Sequence, residues 1–181
     1  MDKFPGNFRR LDQVDVTAIK AKVQAFTDDD WSAYDWRQNR PRSAQVETQS
    51  IPLIFDEDFR HADPTVREAY HDLGCDALLE PVVRTVSDYY TGEGYIVRAL
   101  LVRLKGQGVI PPHVDNGFSL LNCRRIHIPI QSTEGVEFTV GGEQRVMKEG
   151  ELWEINNARE HSVVNRSDKE RVHLIVDWVP T

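Results

Sequence analysis

His113 and Asp115 stand two residues apart in Ile110-Pro111-Pro112-His113-Val114-Asp115-Asn116-Gly117, and side chains at that spacing on an extended chain leave the same side of it. An imidazole and a carboxylate delivered together are two of the three ligands of the 2-His-1-carboxylate face, which holds non-haem Fe(II) and leaves coordination positions open for substrates. The third ligand must come from a distant strand. His161, 46 residues beyond Asp115 and placed between the last two strand-like runs, is the candidate. An HxD pair alone is a common dipeptide pattern, so its surroundings have to carry the reading.

Those surroundings include two strand-like runs with polar residues on one face. In 124–131, period-two alternation sets Arg125, His127 and Pro129 on one face and Arg124, Ile126, Ile128 and Ile130 on the other. In the closing run, Arg171, His173, Ile175 and Asp177 share one face, and Val172, Leu174, Val176 and Trp178 the other. An arginine inside a closed β structure is costly unless an anion meets it. Arg171, ten residues after His161, therefore asks for a buried carboxylate, which a cofactor would supply. His127 and His173 have a second reading as satisfied core histidines, and Trp153 and Trp178 read as packing.

The elements that must position these groups are mostly strands. At 181 residues the chain fits one domain with a sizeable core. A net charge of −7 argues against an extended nucleic-acid footprint and against attraction to anionic membranes. No apolar run approaches the ~20 residues that span a bilayer. Two cysteines, Cys75 and Cys123, and no secretory signal predict a reducing, cytoplasmic setting. Cys123 reads as a small buried hydrophobe.

From the N-terminus, residues 1–10 read as a loose start. A short helix follows, with Asp15 as N-cap and Val16, Ile19, Val23 and Phe26 on its apolar face. Asp28-Asp29-Asp30 reads as a solvated turn, and 31–42 as a long loop carrying Trp31, Tyr34, Trp36, Arg37, Arg40 and Arg42. A strand over 44–55 is interrupted by Pro52, which marks an edge or a bulge. Asp63-Pro64 predicts a helix start running to Gly74, and a second helix covers 76–90 with Leu78, Val82, Val86 and Tyr89 inward. His61 and His71 belong to this region and read as surface residues. After Gly94, seven strand-like runs (95–104, 124–131, 136–140, 144–148, 151–155, 162–165 and 171–179) are separated by Gly-containing and polar turns. That pattern means an antiparallel sandwich or barrel.

The chain resembles the aspartyl/asparaginyl β-hydroxylase family of Fe(II)- and 2-oxoglutarate-dependent oxygenases, which includes free-proline hydroxylases. The likeness runs from about Leu100 to Pro180. It is carried by "IPPHVD", "NCRRIHIPI", "GELWEINNAREHSVVN" and "RVHLIVDWVP", with a weaker echo in "TQSIPL". The resemblance implies a mainly β double-stranded β-helix, or jelly roll, over 95–180, with 1–94 a mixed helical buttress and edge strands, all within one oxygenase domain. It implies His113, Asp115 and His161 as Fe(II) ligands, Arg171 for the distal carboxylate of 2-oxoglutarate, and Arg125 and His127 directed at the same cosubstrate. O₂ is the second cosubstrate. Some protein-directed relatives carry Gly in place of the triad carboxylate, so Asp115 leans toward small-molecule substrates. Where the family often has a small polar residue before the HxD loop, this chain has Val102.

The implied activity is hydroxylation of an unactivated C–H of a small polar molecule, expected to be a free amino acid, without nucleic-acid or membrane partners. Arg103, Asn116, Trp36 and Arg37 are candidates for holding it, as is Arg98. Hydroxylation of Asp or Asn residues in a protein, a metal-binding jelly roll without keto-acid chemistry, and a non-enzymatic binding module stand beside this reading.

Overall fold

The computed structural model describes residues 2–34 and 44–181. Chain order is β1 (Phe8–Gln13), α1 (Thr17–Val23), α2 (Asp28–Ser32), β2 (Thr48–Phe55), β3 (Thr65–Val66), α3 (Glu68–Asp72) and α4 (Cys75–Tyr90). It continues through β4 (Gly94–Leu104), β5 (Val109–His113), α5 (Phe118–Leu121), β6 (Arg124–Gln131), β7 (Val136–Val140), β8 (Glu143–Arg145), β9 (Glu151–Ile155), β10 (His161–Asn165) and β11 (Arg171–Pro180). Every strand pairing is antiparallel. A seven-stranded sheet has the order β1-β9-β6-β11-β4-β2-β3, and a four-stranded sheet the order β5-β10-β7-β8. These two sheets make the predicted jelly roll.

The large sheet is buried on both faces, which is why its central strands read as almost unbroken apolar runs. Outward, Ile126, Ile128 and Ile130 of β6 and Val172, Leu174, Val176 and Trp178 of β11 pack with Ile19 and Val23 of α1 and Leu79, Val82 and Val86 of α4. Inward, Leu104 and Ile155 meet Ile110, Phe138, Val140 and Val163 of the small sheet. The parity that sends the isoleucines of β6 to the helices sends Arg125 and His127 into the space between the sheets. At 25 cal/mol per Å², full burial of each such Ile, Leu or Val contributes about 1.5–3 kcal/mol, so neither β6 nor β11 can slip by one residue.

Several expectations are corrected. Residues 8–13 form β1, an edge strand on β9, rather than part of a loose start. Phe8 packs edge-on against Phe138 and Trp153, and Asn156 Nδ2 donates to the carbonyl of Phe4 at 2.8 Å, so the segment closes one end of the sheet gap. The acidic run begins α2: Thr27 and Asp30 form a reciprocal capping box, and Trp31 turns inward to 2% exposure. Asp63-Pro64 starts no helix. Asp63 has φ 42, and the β-branched pair Thr65-Val66 adds to the free edge of β2 against Ile54 and Phe55. The helix there begins only at Glu68. Tyr89 lies outside, 49% exposed, and β8 stops at Arg145. Pro52 adjoins a register shift between β2 and β4, as expected of a bulge. Cys123 is fully buried, and burial pushes its thiol well above the ordinary range, which suits packing rather than reactivity. Among the described residues, no helix is long and apolar enough to cross a membrane.

Candidate metal centre

His113 ends β5 and His161 opens β10, and the two residues are direct cross-strand partners. Their ring centroids lie 4.2 Å apart. A metal needs the lone pair of an unprotonated ring nitrogen, and the backbone prepares the same nitrogen on both. His113 Nδ1 donates to the Pro111 carbonyl at 2.8 Å and His161 Nδ1 to the Arg159 carbonyl at 3.0 Å. Carbonyls only accept, so each Nδ1 carries the proton and each Nε2 presents a lone pair. Burial holds His161 below the usual imidazole range, which keeps that lone pair available. Gln45 Nε2 lies 3.4 Å from His113 Nε2.

Asp115 completes the group. His161 Nε2 is 3.8 Å from Asp115 Oδ2, and single ligand atoms of His113, Asp115 and His161 all lie within 4.8 Å of one another. Asp115 is 7% exposed, and its carboxylate is held by Asn157 and Arg125. Asn157 Nδ2 donates to Oδ2 at 3.2 Å while its carbonyl accepts from the Asp115 backbone N–H at 3.3 Å. Arg125 Nη1 donates to the same Oδ2 at 2.6 Å. Burial acts to raise this carboxyl, but Arg125 and the two imidazoles outweigh it and hold it below the ordinary range. Among the described residues, both side-chain hydrogen bonds to the carboxylate fall on Oδ2.

Arg125 is itself clamped. Its Nε and Nη2 donate to Asp177 Oδ1 and Oδ2 at 2.8 and 2.7 Å. Asp177 and Arg125 are register partners on β11 and β6, so the bidentate pair is built into the sheet. The family resemblance directs Arg125 at the cosubstrate. In the structure each of its nitrogens is engaged by Asp115 or Asp177, and its visible work is to position the Asp115 carboxylate.

Arg171 is the opposite case. It is 1% exposed and its Nη2 donates to His173 Nδ1 at 2.7 Å, yet its Nε is buried without a partner. No carboxylate among the described residues pairs with it, and burial alone drags the guanidinium down to about 9. Since arginine does not give up its proton in proteins, this is a demand for an anion. His127 lines the same space and His173 lies beneath it. Burial, then the Arg171 charge, hold both imidazoles well below the usual range. One small cavity runs from His113, Asp115 and His161 to His127 and Arg171, walled by Val102, Phe138 and Ile175. Its volume is about 40 Å³, and its two ends present groups suited to a divalent cation and to a carboxylate.

A wider cleft of about 460 Å³ opens from the other side of His113 and Asp115, lined by Arg98, Asn116, Phe55, Phe59 and Phe118 among others. Of the residues predicted to hold a substrate, Asn116 and Arg98 lie there. Arg103 does not: it donates to Asp28 at 2.7 Å and to Gln49, pairs with Glu170, and stacks on Trp31. The reason is parity, because Val102 faces the metal cavity and its neighbour in β4 must face the helices. Trp36 and Arg37 lie outside the described residues. Reading the sequence missed Asn157 and the Arg125 clamp of Asp177. The signal for Asp177 was present, since an acid in the middle of an apolar strand needs a cation across the ladder.

The description "Aspartyl/Asparaginyl beta-hydroxylase" belongs to the family model that matches residues 79–180. Solved structures with the same fold include an oxidoreductase of the 2OG-Fe(II) oxygenase family from Burkholderia pseudomallei, at 18% identity and TM-score 0.61, covering 94% of this chain and 93% of that one. Viral collagen prolyl hydroxylase from Paramecium Bursaria Chlorella virus-1, solved with 2OG, aligns at 10% identity and TM-score 0.59 over 96% of each chain. A Pseudomonas putida prolyl-4-hydroxylase aligns at 10% identity and TM-score 0.57 over 98% of this chain and 94% of its own. No curated protein matches the sequence.

Proposed function

Because this chain belongs to the aspartyl/asparaginyl β-hydroxylase family and is a 2-oxoglutarate-dependent oxygenase, we propose that it hydroxylates a small polar molecule, a free amino acid in the first instance. His113 Nε2, His161 Nε2 and Asp115 would hold Fe(II), and Arg171 would take the distal carboxylate of 2-oxoglutarate. The observation that carries this assignment is the buried guanidinium without a counter-anion at the far end of the cavity that begins at the three ligands. Once bound, iron, 2-oxoglutarate and O₂ supply the oxidising chemistry, in which the keto acid becomes succinate and CO₂ and one oxygen atom enters a substrate C–H bond.

The protein's own work is orientation and exclusion. Arg171 fixes one end of the keto acid by charge-assisted hydrogen bonds, strong because the site is desolvated. His173 accepts from Arg171 and sets the plane of its guanidinium. Val102, Phe138 and Ile175 keep water from the cavity wall. The Asp177–Arg125–Asp115 chain holds the carboxylate ligand in one rotamer. Support for a small substrate comes from the cleft: about 460 Å³ is within the range of small-molecule sites and it reaches His113 and Asp115 directly.

The test is anaerobically prepared protein given Fe(II), 2-oxoglutarate, O₂ and a panel of free amino acids. Succinate should rise above the uncoupled background with a subset of them, with one oxygen gained by the amino acid. His113→Ala and Arg171→Ala should each abolish it. Succinate formation that survives either change refutes the assignment, and oxygen gained only by a protein or peptide substrate replaces the free amino acid with an Asp or Asn residue.

A further inference from the structure

The cleft beside the metal ligands contains a second buried cation whose charge the mechanism does not use. Arg98 is 5% exposed on β4, and it shares with Leu100 and Val102 the face turned toward the site. Its Nε donates to Asp56, a fully buried carboxylate that also accepts from Ser119 Oγ and from the His61 backbone N–H. The guanidinium carbon lies 4.7 Å from the Phe55 ring centroid and 4.9 Å from that of Phe59, so the head group rests against both members of an edge-to-face aromatic pair. The terminal end is different. Neither Nη1 nor Nη2 has a partner among the described residues, and Nη2 is buried. Among the residues described as lining the cleft, it is the one buried side-chain polar atom left unpaired. Buried polar groups are almost always paired. Arg125, which lines the same cleft, uses all three of its nitrogens.

We propose that the terminal nitrogens of Arg98 bind the carboxylate of the substrate, and that the substrate is therefore an α-amino acid or close analogue recognised through that group. The proposal rests on reading this cleft as the substrate site. Charge favours a zwitterion. Arg98, Arg125 and Arg171 balance Asp56, Asp115 and Asp177, and Fe(II) balances the 2-oxoglutarate dianion. A zwitterion thus enters without adding net charge to a desolvated space, whereas a dicarboxylate would add it. Arg98 also supplies planar bidentate geometry that a lysine would not.

The measurement is calorimetric binding under nitrogen to protein holding Mn(II) and 2-oxoglutarate, so no turnover is involved. The probes are free L-amino acids, each paired with its α-carboxamide. Amino acids that bind should lose on the order of 100-fold when the carboxylate becomes an amide. Arg98→Gln should bind the acid that much more weakly and treat acid and amide alike, with Mn(II) and 2-oxoglutarate affinities within about twofold of the parent. Because Arg98→Gln strands Asp56, the pair Arg98→Gln/Asp56→Asn, which keeps a neutral hydrogen bond, is measured beside it. Equal binding of acid and amide by the parent, discrimination that survives in the double variant, or no binding by any amino acid overturns the proposal. If acid–amide discrimination depends on Arg98 but no succinate forms in air, the hydroxylase reading fails while this site stands.

Discussion

Replacing Arg171 with Met should make the ligand-free protein more stable while removing its response to 2-oxoglutarate. Burial brings the guanidinium well below the ordinary arginine range, to about 9, with no acid beside it among the described residues. At 1.36 kcal/mol for each pH unit, carrying that charge inside costs the folded state about 5 kcal/mol at most. Met keeps most of the volume and gives up one hydrogen bond to His173, worth about 1 kcal/mol. Relief from the buried charge should exceed that loss by about 1–4 kcal/mol, the range seen when buried charges give way to apolar residues. In the parent, 2-oxoglutarate at 100 times its Kd adds about 2.7 kcal/mol by mass action, and in the variant it should add nothing. Urea unfolding in constant Mn(II), with and without 2-oxoglutarate, reads both quantities. A variant less stable than the parent without ligand, or one that still gains on adding 2-oxoglutarate, would show that the guanidinium is satisfied by the protein and is not waiting for an anion.

Asp177→Asn breaks the bidentate pair with Arg125 and leaves that cation to Asp115 alone. We expect a loss of about 3–5 kcal/mol in stability and a 10–100-fold fall in Mn(II) affinity, read by urea unfolding and equilibrium dialysis; unchanged metal affinity would confine Asp177 to a structural role. A pH prediction follows from His127 and His173, both held well below 6.5 by burial and then by Arg171. Below the unfolded value of about 6.5 the unfolded chain takes up protons that the folded one refuses, so metal-free stability is full above that pH and falls as pH drops. Two such groups give a slope of up to about 2.7 kcal/mol per pH unit, and a flat profile between pH 7.5 and 5.5 would contradict the burial argument.

What could be read in advance divides along a physical line. Strand parity is local, so the faces of β6 and β11 were legible from alternation, and with them the inward direction of Arg125, His127, Arg171 and His173. The same parity places Arg98 on the face of Val102 and turns Arg103 away from it, so assigning Arg103 to the cleft ignored a signal that was present. The capping box of Thr27 and Asp30 was also written in adjacent residues. The strand β1 was not: Phe8–Gln13 acquires its structure from the open edge of β9, and no local pattern reveals a vacant edge more than a hundred residues away.

Register is the non-local quantity that parity cannot supply, and it decides the electrostatics of this site. Alternation says that Arg125 and Asp177 both point between the sheets. Only the ladder of β6 on β11 makes them opposite neighbours, and only the loop after β5 brings Asp115 to the third nitrogen. One strand away, Arg171 faces the same gap and meets no acid among the described residues. Two arginines of equal parity thus have opposite fates, one saturated by the protein and one left for a ligand. The difference follows from which acids the register places across from each. Arg171 keeps an unpaired Nε toward the cavity, and Arg98, held by Asp56 through its own Nε, keeps an unpaired Nη2 toward the cleft; these are the two positions at which we propose bound carboxylates.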